Sequence, residues 1–169
     1  MKRMQQYRQQ QYDRSSKSGF TLIELLVSIT IMGILAAIGL SSFNSAQIKA
    51  RDAKRKSELA SIARALELYN TDFGVYPANN SSGAIMGCGT GTSVCTTTFI
   101  ANSTTYMGTM PKDPKAYQYV YSQQNSGKGF ILYALLENNQ ETTTSYAGTD
   151  CDPSASTVVC NYRVTSPGL

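Results

Sequence analysis

The sequence predicts an α+β fold in which a long N-terminal helix, half of it spanning a membrane, packs on a small antiparallel sheet of about three to four strands. Three observations predict this fold: an apolar run of membrane-spanning length, a following apolar stripe with helical spacing, and short alternating segments between Gly and Pro turns. The predicted parts are a leader, a membrane helix, an amphipathic helix and a globular head, with the bounds 1–19, 20–43, 44–73 and 74–169.

The apolar run extends from Phe20 to Phe43 and contains one ionisable side chain, Glu24. As a helix it is about 36 Å long, which exceeds a hydrocarbon core of about 30 Å. An ionisable group in lipid costs about 3 kcal/mol, so Glu24 is expected to have a partner, either from the tail side or from another molecule. A secretory signal peptide is disfavoured because residues 36–38 form a poor cleavage site, and a plain signal anchor leaves Glu24 unexplained.

The helix continues beyond the membrane segment with one apolar stripe, formed by Leu59, Ile62, Ala63, Leu66, Tyr69 and Phe73. Gly74 and the Tyr76-Pro77 pair are expected to end it. A single helix from Phe20 to Asp72 would be about 78 Å long. Its second half therefore needs a globular domain to pack against.

A basic cluster lies on this helix and consists of Lys49, Arg51, Lys54, Arg55 and Lys56. The favoured interpretation is a solvated helix face that meets acidic groups of a neighbouring molecule. Nucleic-acid binding is the less favoured alternative, because the net charge of +4 lies wholly within residues 1–19 and residues 20–169 are neutral.

The remainder of the chain predicts a long loop over residues 78–110, with one short helix near Phe99–Tyr106. Three strands are expected to follow, at 117–121, 130–136 and 158–165.

Composition argues against an enzyme. The 169 residues, 41% of them apolar, suffice for the core of one domain. The chain has no His, which excludes Ser-His and Cys-His catalysis and His-ligated zinc. Residues 78–169 contain no convergent polar constellation, since Glu137 and Glu141 are expected to be solvent-exposed at a strand end.

The segment Ser18-Gly-Phe-Thr-Leu-Ile-Glu-Leu-Leu-Val27 resembles the N-terminal signal of type IV pilins and type II secretion pseudopilins, and the resemblance continues through Ile38. It implies that a prepilin peptidase cleaves after Gly19 and methylates the new amine of Phe20. It further implies that the leader is cytoplasmic and that the helix waits in the membrane before it enters a filament. In such a filament the carboxylate of Glu24 would pair with the Phe20 amine of a neighbour and set the register.

The chain departs from many pilins at Ser41-Ser42, where those proteins have a Pro. Local unwinding of the helix in a filament is correspondingly less favoured. Gly33 and Gly39 would either permit such unwinding or allow close helix packing.

Four cysteines, Cys88, Cys95, Cys151 and Cys160, lie on the side of the membrane away from the leader. Their spacing does not match a CxxC metal or redox pair, and three disulfide pairings remain open. The local pairs Cys88–Cys95 and Cys151–Cys160 are favoured because each closes a loop. The second pair would resemble the C-terminal disulfide-bounded loop of many pilins, and disulfides place the head in an oxidising space.

Asp150 and Asp152 are weak candidates for calcium ligands, because the resemblance to major pseudopilins implies a calcium site late in the chain. Two acids fall short of the six to eight oxygens that calcium takes. Surface solvation and a turn at Asp152-Pro153 are favoured instead. No other cofactor is predicted.

The sequence therefore favours a structural subunit of a type IV pilus, a homopolymeric helical filament serving adhesion, motility or DNA uptake. The alternatives are a pseudopilin of a type II secretion system, a minor or capping pilin, and an N-terminally anchored extracytoplasmic binding domain or enzyme. The type IV pilin is preferred over the pseudopilin because of the two Cys pairs and the Thr/Ser-rich surface. The resemblance implies a single-pass precursor in the cytoplasmic membrane, a cell-surface filament, and a prepilin peptidase, an assembly platform and ATPases as partners.

Overall fold

The computed structural model describes residues 19–89, 93–115, 117–138, 140, 144–146, 148–152 and 158–169. The leader up to residue 18, Glu141 and Pro153 lie outside this part. The chain forms two compact units, Met1–Ser42 and Phe43–Leu169. The second unit is the head.

Helix α1 extends over Leu22–Phe73 and contributes residues to both units. It ends at Gly74, which has a φ of +70° and donates its N–H to the carbonyl of Asn70 at 2.8 Å. Only glycine adopts this conformation without strain, and the predicted end of the helix is observed within one residue. The helix is long and apolar enough in its first half to cross a membrane.

The described residues after α1 form seven short strands, all in antiparallel pairs. The strands are β1 (Met86–Cys88), β2 (Ser93–Val94), β3 (Phe99–Ala101), β4 (Thr104–Met107), β5 (Val120–Gln124), β6 (Gly129–Ala134) and β7 (Tyr162–Thr165). β1 pairs with β2 and β3 with β4, while the last three form a sheet of order β5-β6-β7. The predicted α+β class is confirmed.

Several of the predicted elements differ from the structure. The segment predicted as a loop over residues 78–110 contains the β1–β2 and β3–β4 hairpins. The strand predicted at 158–165 begins at Tyr162, because Val159 makes only an isolated bridge to Asp150.

The prediction of a short helix near Phe99–Tyr106 is wrong, because this segment forms the β3–β4 hairpin. Its turn residues Asn102 and Ser103 have φ angles of +45° and +67°, as a two-residue hairpin turn requires. The strand predicted from residue 117 begins at Val120, because Tyr117 and Tyr119 precede the ladder.

The core of the head lies between the second half of α1 and the three-stranded sheet. Leu59, Ile62 and Leu66 recur on one face of α1, and Phe130 and Leu132 alternate on β6. All five side chains are buried, and they account for the helix-on-sheet arrangement that the two periodicities predict.

Candidate functional site

The start of α1 is held by a reciprocal pair of hydrogen bonds between Thr21 and Glu24. The Thr21 N–H donates to Oε2 of Glu24 at 2.9 Å, and the Glu24 N–H donates to the Thr21 hydroxyl oxygen at 3.3 Å. The Thr21 hydroxyl also donates to Oε2 at 2.8 Å. This is a capping box, in which two otherwise unpaired backbone donors at the helix start are satisfied. Glu24 is thus hydrogen-bonded locally to Thr21 through Oε2, and within the described residues Oε1 accepts no hydrogen bond. The partner expected from the tail side or from another molecule stays a prediction.

Gly19 and Phe20 precede the helix in an accessible, non-helical stretch. The Phe20 side chain is 90% exposed. Among the described residues, and apart from its chain neighbours, no atom lies within 4 Å of the position that a Cβ on Gly19 would occupy. Cleavage after Gly19 stays a prediction of the resemblance.

The first half of α1 presents exposed apolar side chains around its whole circumference. Two of its hydroxyl groups are satisfied within the helix: Ser28 donates to the Glu24 carbonyl at 2.7 Å and Thr30 to the Val27 carbonyl at 2.7 Å. Gly33 and Gly39 have open space around them, and the helix is continuous through both. This surface suits lipid or other apolar helices, and Glu24 is its one charged group.

In the head, Arg55 is fully buried and surrounded by carboxylates. Its guanidinium contacts Asp113 through two bonds, Nε to Oδ2 at 2.6 Å and Nη2 to Oδ1 at 3.0 Å. Nη1 donates to Asp52 at 2.7 Å and to Glu137 at 2.8 Å. Burial disfavours the charged guanidinium, but these hydrogen bonds raise the pKa of Arg55 overall.

Glu137 is the second centre of this cluster. Arg51 donates to both of its carboxylate oxygens at 2.7 Å, and the Lys115 ammonium lies 2.8 Å from Oε2. Asp52 also accepts the backbone N–H groups of Glu137 at 3.0 Å and Asn138 at 2.8 Å. The hydrogen bonds from Arg51, and then those from Lys115 and Arg55, outweigh burial and hold the pKa of Glu137 well below its ordinary value.

These contacts correct two sequence-based expectations. Arg51 and Arg55 do not belong to a solvated helix face, because both turn toward residues 74–169 and pair with acids there. Glu137 is not solvent-exposed, since its side chain is 10% exposed and has three cationic partners. No local signal identifies the cluster, because its members come from three distant segments.

Further along α1, three acids accept hydrogen bonds from tyrosines of the head. Tyr119 donates to Glu58, Tyr76 to Glu67 at 2.8 Å and Tyr106 to Asp72 at 2.7 Å. Burial, followed by the bond to Glu67, raises the pKa of Tyr76 to about 12. The cluster around Arg55 and these tyrosines together fasten residues 74–169 to the second half of α1.

Both local disulfides, Cys88–Cys95 and Cys151–Cys160, are formed. Asp150 and Asp152 flank the buried Cys151. Within the described ranges no group of three or more His, Cys, Asp or Glu is placed to hold a metal ion. The two aspartates thus gain no third acidic ligand there, and calcium binding rests on the resemblance alone.

Comparison with known proteins gives two family matches. Residues 14–40 match the prokaryotic N-terminal methylation motif, and residues 43–150 match type II secretion system (T2SS), protein G. No solved structure matches the chain significantly.

Among curated proteins, the type II secretion system core protein G of Pseudomonas aeruginosa is 32% identical over 129 residues, covering 76% of this chain and 89% of that protein. Core protein G of Klebsiella michiganensis is 39% identical over 64 residues, which are 38% of this chain and 45% of that protein. The fimbrial protein EcpC of Eikenella corrodens is 36% identical over 69 residues, which are 41% of this chain and 45% of that protein.

Proposed function

The chain belongs to the family of type II secretion system protein G, and from this premise we propose that it is a pseudopilin, the repeating subunit of a filament in a type II secretion system. Members of this family are structural subunits, and the chain is not an enzyme. Its precursor is anchored in the membrane by the apolar half of α1, and the family forms extracellular filaments.

One observation carries the choice of pseudopilin over type IV pilin. The likeness to a core protein G spans 129 residues and includes most of the head, whereas that to the fimbrial protein spans 69 residues. Paired cysteines and a Thr/Ser-rich surface, which favour a type IV pilin from sequence, are surface properties that do not separate the two classes. The match to a protein G domain over residues 43–150 therefore takes precedence.

The hydrogen bonds at the start of α1 support a specific way in which subunits align in the filament. Cleavage after Gly19 would leave a methylated cationic amine on Phe20. The Glu24 carboxylate keeps its own cap through Oε2, and Oε1 is available to the amine of a neighbouring subunit. A pair buried among apolar helices adds little net stability, but misalignment would leave a charge unpaired and cost several kcal/mol. The pair would thus select the register.

The first test uses the full chain in a host with an intact type II secretion system. The wild type is expected in the sheared filament fraction, with N-methylated Phe20 as its first residue. Gly19→Val should leave the precursor uncleaved, and Glu24→Ala should be cleaved but depleted from filaments at least tenfold. Ser28→Ala is the matched control on the same helix, since its hydroxyl bonds only within the helix.

Removing partner machinery distinguishes the alternatives. A pseudopilin requires the ATPase and platform of the secretion system, whereas a type IV pilin requires those of the pilus. Assembly that survives loss of the secretion ATPase and fails without the pilus ATPase would overturn the proposal. A chain found only as an uncleaved membrane protein would favour the anchored binding domain, and a single copy per filament would favour a capping subunit.

A further inference from the structure

The head contains a largely apolar pocket of about 330 Å³ that none of its described elements fills. Ile62 of α1, Ile85, Met110 and Leu132 of β6 supply its apolar lining. Three of these four belong to the buried core, so the pocket reaches the interior of the head. An opening of this size and composition accepts one or two aliphatic side chains.

The rim of the pocket carries an uncompensated positive charge. Lys112 lines the pocket and is exposed, and no ion pair forms on it among the described residues. The other two charged lining residues are already paired, Lys115 with Glu137 and Asp113 with Arg55. The site therefore fits an apolar side chain that has a carboxylate close beside it.

The same chain displays such a pair on another surface. Leu68 is 58% exposed, although the apolar neighbours Leu59 and Leu66 on the same helix are buried. Asp72 lies four residues later, on the same side of α1, and is also exposed. Its Oδ2 accepts the Tyr106 hydroxyl, and Oδ1 accepts no hydrogen bond within the described part of the chain.

The projecting and receiving surfaces lie on different sides of α1. Leu68 follows Ile62 by six residues, which places the two about 120° apart around the helix axis. A chain cannot insert its own Leu68 into a pocket lined by its own Ile62. A contact between unlike surfaces of identical chains is heterologous, and it generates an open helical filament when the rotation does not close.

We propose that Leu68 of one copy inserts into the pocket of a second copy, with Asp72 facing Lys112 of that copy. The contact joins the heads and is separate from the packing of the apolar helices. It rests on the proposed function in one respect, that copies of this chain polymerise. The choice of a second copy as occupant follows from the complementary charges and from the heterologous geometry.

Cross-linking tests the contact directly. Full-length chains carrying Asp72→Cys and chains carrying Lys112→Cys are produced together, and sheared filaments are oxidised before electrophoresis. The native cysteines are already paired, so a new dimer band requires one engineered thiol from each chain. We expect a dimer when both variants are present and none from either variant alone. Asp72→Cys combined with Lys128→Cys, an exposed lysine outside the pocket, is the matched control.

Charge reversal supplies the second measurement. Asp72→Lys and Lys112→Glu should each lower the assembled fraction about tenfold, and a chain with both changes should recover most of the loss. Leu68→Asp should give a similar defect while leaving the melting temperature of the head unchanged, because the side chain is exposed.

The outcomes distinguish a failure of this contact from a failure of the proposed filament function. If the wild type forms no filament, the filament function fails. If the wild type assembles, but Leu68→Asp assembles equally well and no dimer forms, the contact is overturned. A thiol cross-link from Lys112→Cys to another protein, with none to a second copy, would assign the pocket to a different occupant and also overturn it.

Discussion

At the scale of single residues, Arg55 is a cation without access to solvent. Its partners Asp52, Asp113 and Glu137 are held close enough for charge-assisted hydrogen bonds. Arg51 and Lys115 add two positive charges, so that three cations face three carboxylates. A buried ion cluster adds little net stability over an apolar one, but removal of one member leaves the others uncompensated.

We expect replacement of Arg55 to destabilise the head strongly. Arg55→Met should lower the free energy of unfolding by about 3–5 kcal/mol, because buried carboxylates lose their shared partner. Urea unfolding of the full chain in detergent measures the change. Lys54→Ala is the control, since Lys54 is 60% exposed and its loss should cost less than about 0.5 kcal/mol. A loss below about 1 kcal/mol for Arg55→Met would contradict the role assigned to the cluster.

Glu137 makes the stability of the head sensitive to acid. Its pKa in the folded head is depressed, chiefly by the hydrogen bonds from Arg51, whereas in the unfolded chain it is near 4.5. The unfolded chain therefore takes up the proton first, so the stabilisation is complete above about pH 4.5 and is lost as the pH falls further. We expect the urea midpoint to drop between pH 5 and pH 3. Glu137→Gln should be less stable than the wild type at pH 7, and its urea midpoint should fall less between pH 5 and pH 3. An equal fall in both proteins would exclude Glu137 as the source of the acid sensitivity.

At the scale of elements, the sequence predicts α1 and β6 because their apolar periodicities match their buried faces. The N-terminal motif around Glu24 is predictable because its residues are contiguous. The β3–β4 hairpin is missed because its turn is Asn102-Ser103 without the glycine that marks such turns. The cluster around Arg55 is missed because pairs such as Arg51 and Glu137 are 86 positions apart.

The two disulfides can be removed one at a time, so the contribution of each to the stability of the head can be measured. Cys151→Ser with Cys160→Ser opens a loop of nine positions and should cost about 2.5 kcal/mol on the loop-entropy estimate. Cys88→Ser with Cys95→Ser, which opens a loop of seven positions, should cost nearly the same. Thermal unfolding of both double variants measures the losses. A much larger loss at one disulfide would show that it orders more of the head than its own loop.

At the scale of the whole molecule, the two units differ in what they leave exposed. Up to Ser42 the described helix exposes apolar side chains throughout, whereas the unit Phe43–Leu169 contains the core, the sheet and both disulfides. The net positive charge belongs to residues 1–19. Attachment to membrane or filament and folding of the head are therefore assigned to different parts of the chain.

This division predicts that residues 43–169 fold without the apolar segment. The isolated head should be soluble without detergent and melt within about 4 °C of the full chain, since its interior contacts are its own. Circular dichroism of both proteins, each with its disulfides oxidised, gives the comparison. Aggregation of the isolated head, or a melting temperature far below that of the full chain, would contradict independent folding.

The sequence separations within the Arg55 cluster also determine when it forms during folding. Arg55 and Asp113 are 58 positions apart, whereas β5 and β6 are joined by the short turn Asn125–Gly127. Closure of a long loop is entropically slower than pairing of adjacent strands, so the hairpin precedes the cluster. Substitutions of Arg55 should accordingly accelerate unfolding and leave the refolding rate nearly unchanged. The contacts that hold residues 74–169 against the second half of α1 would thus form last.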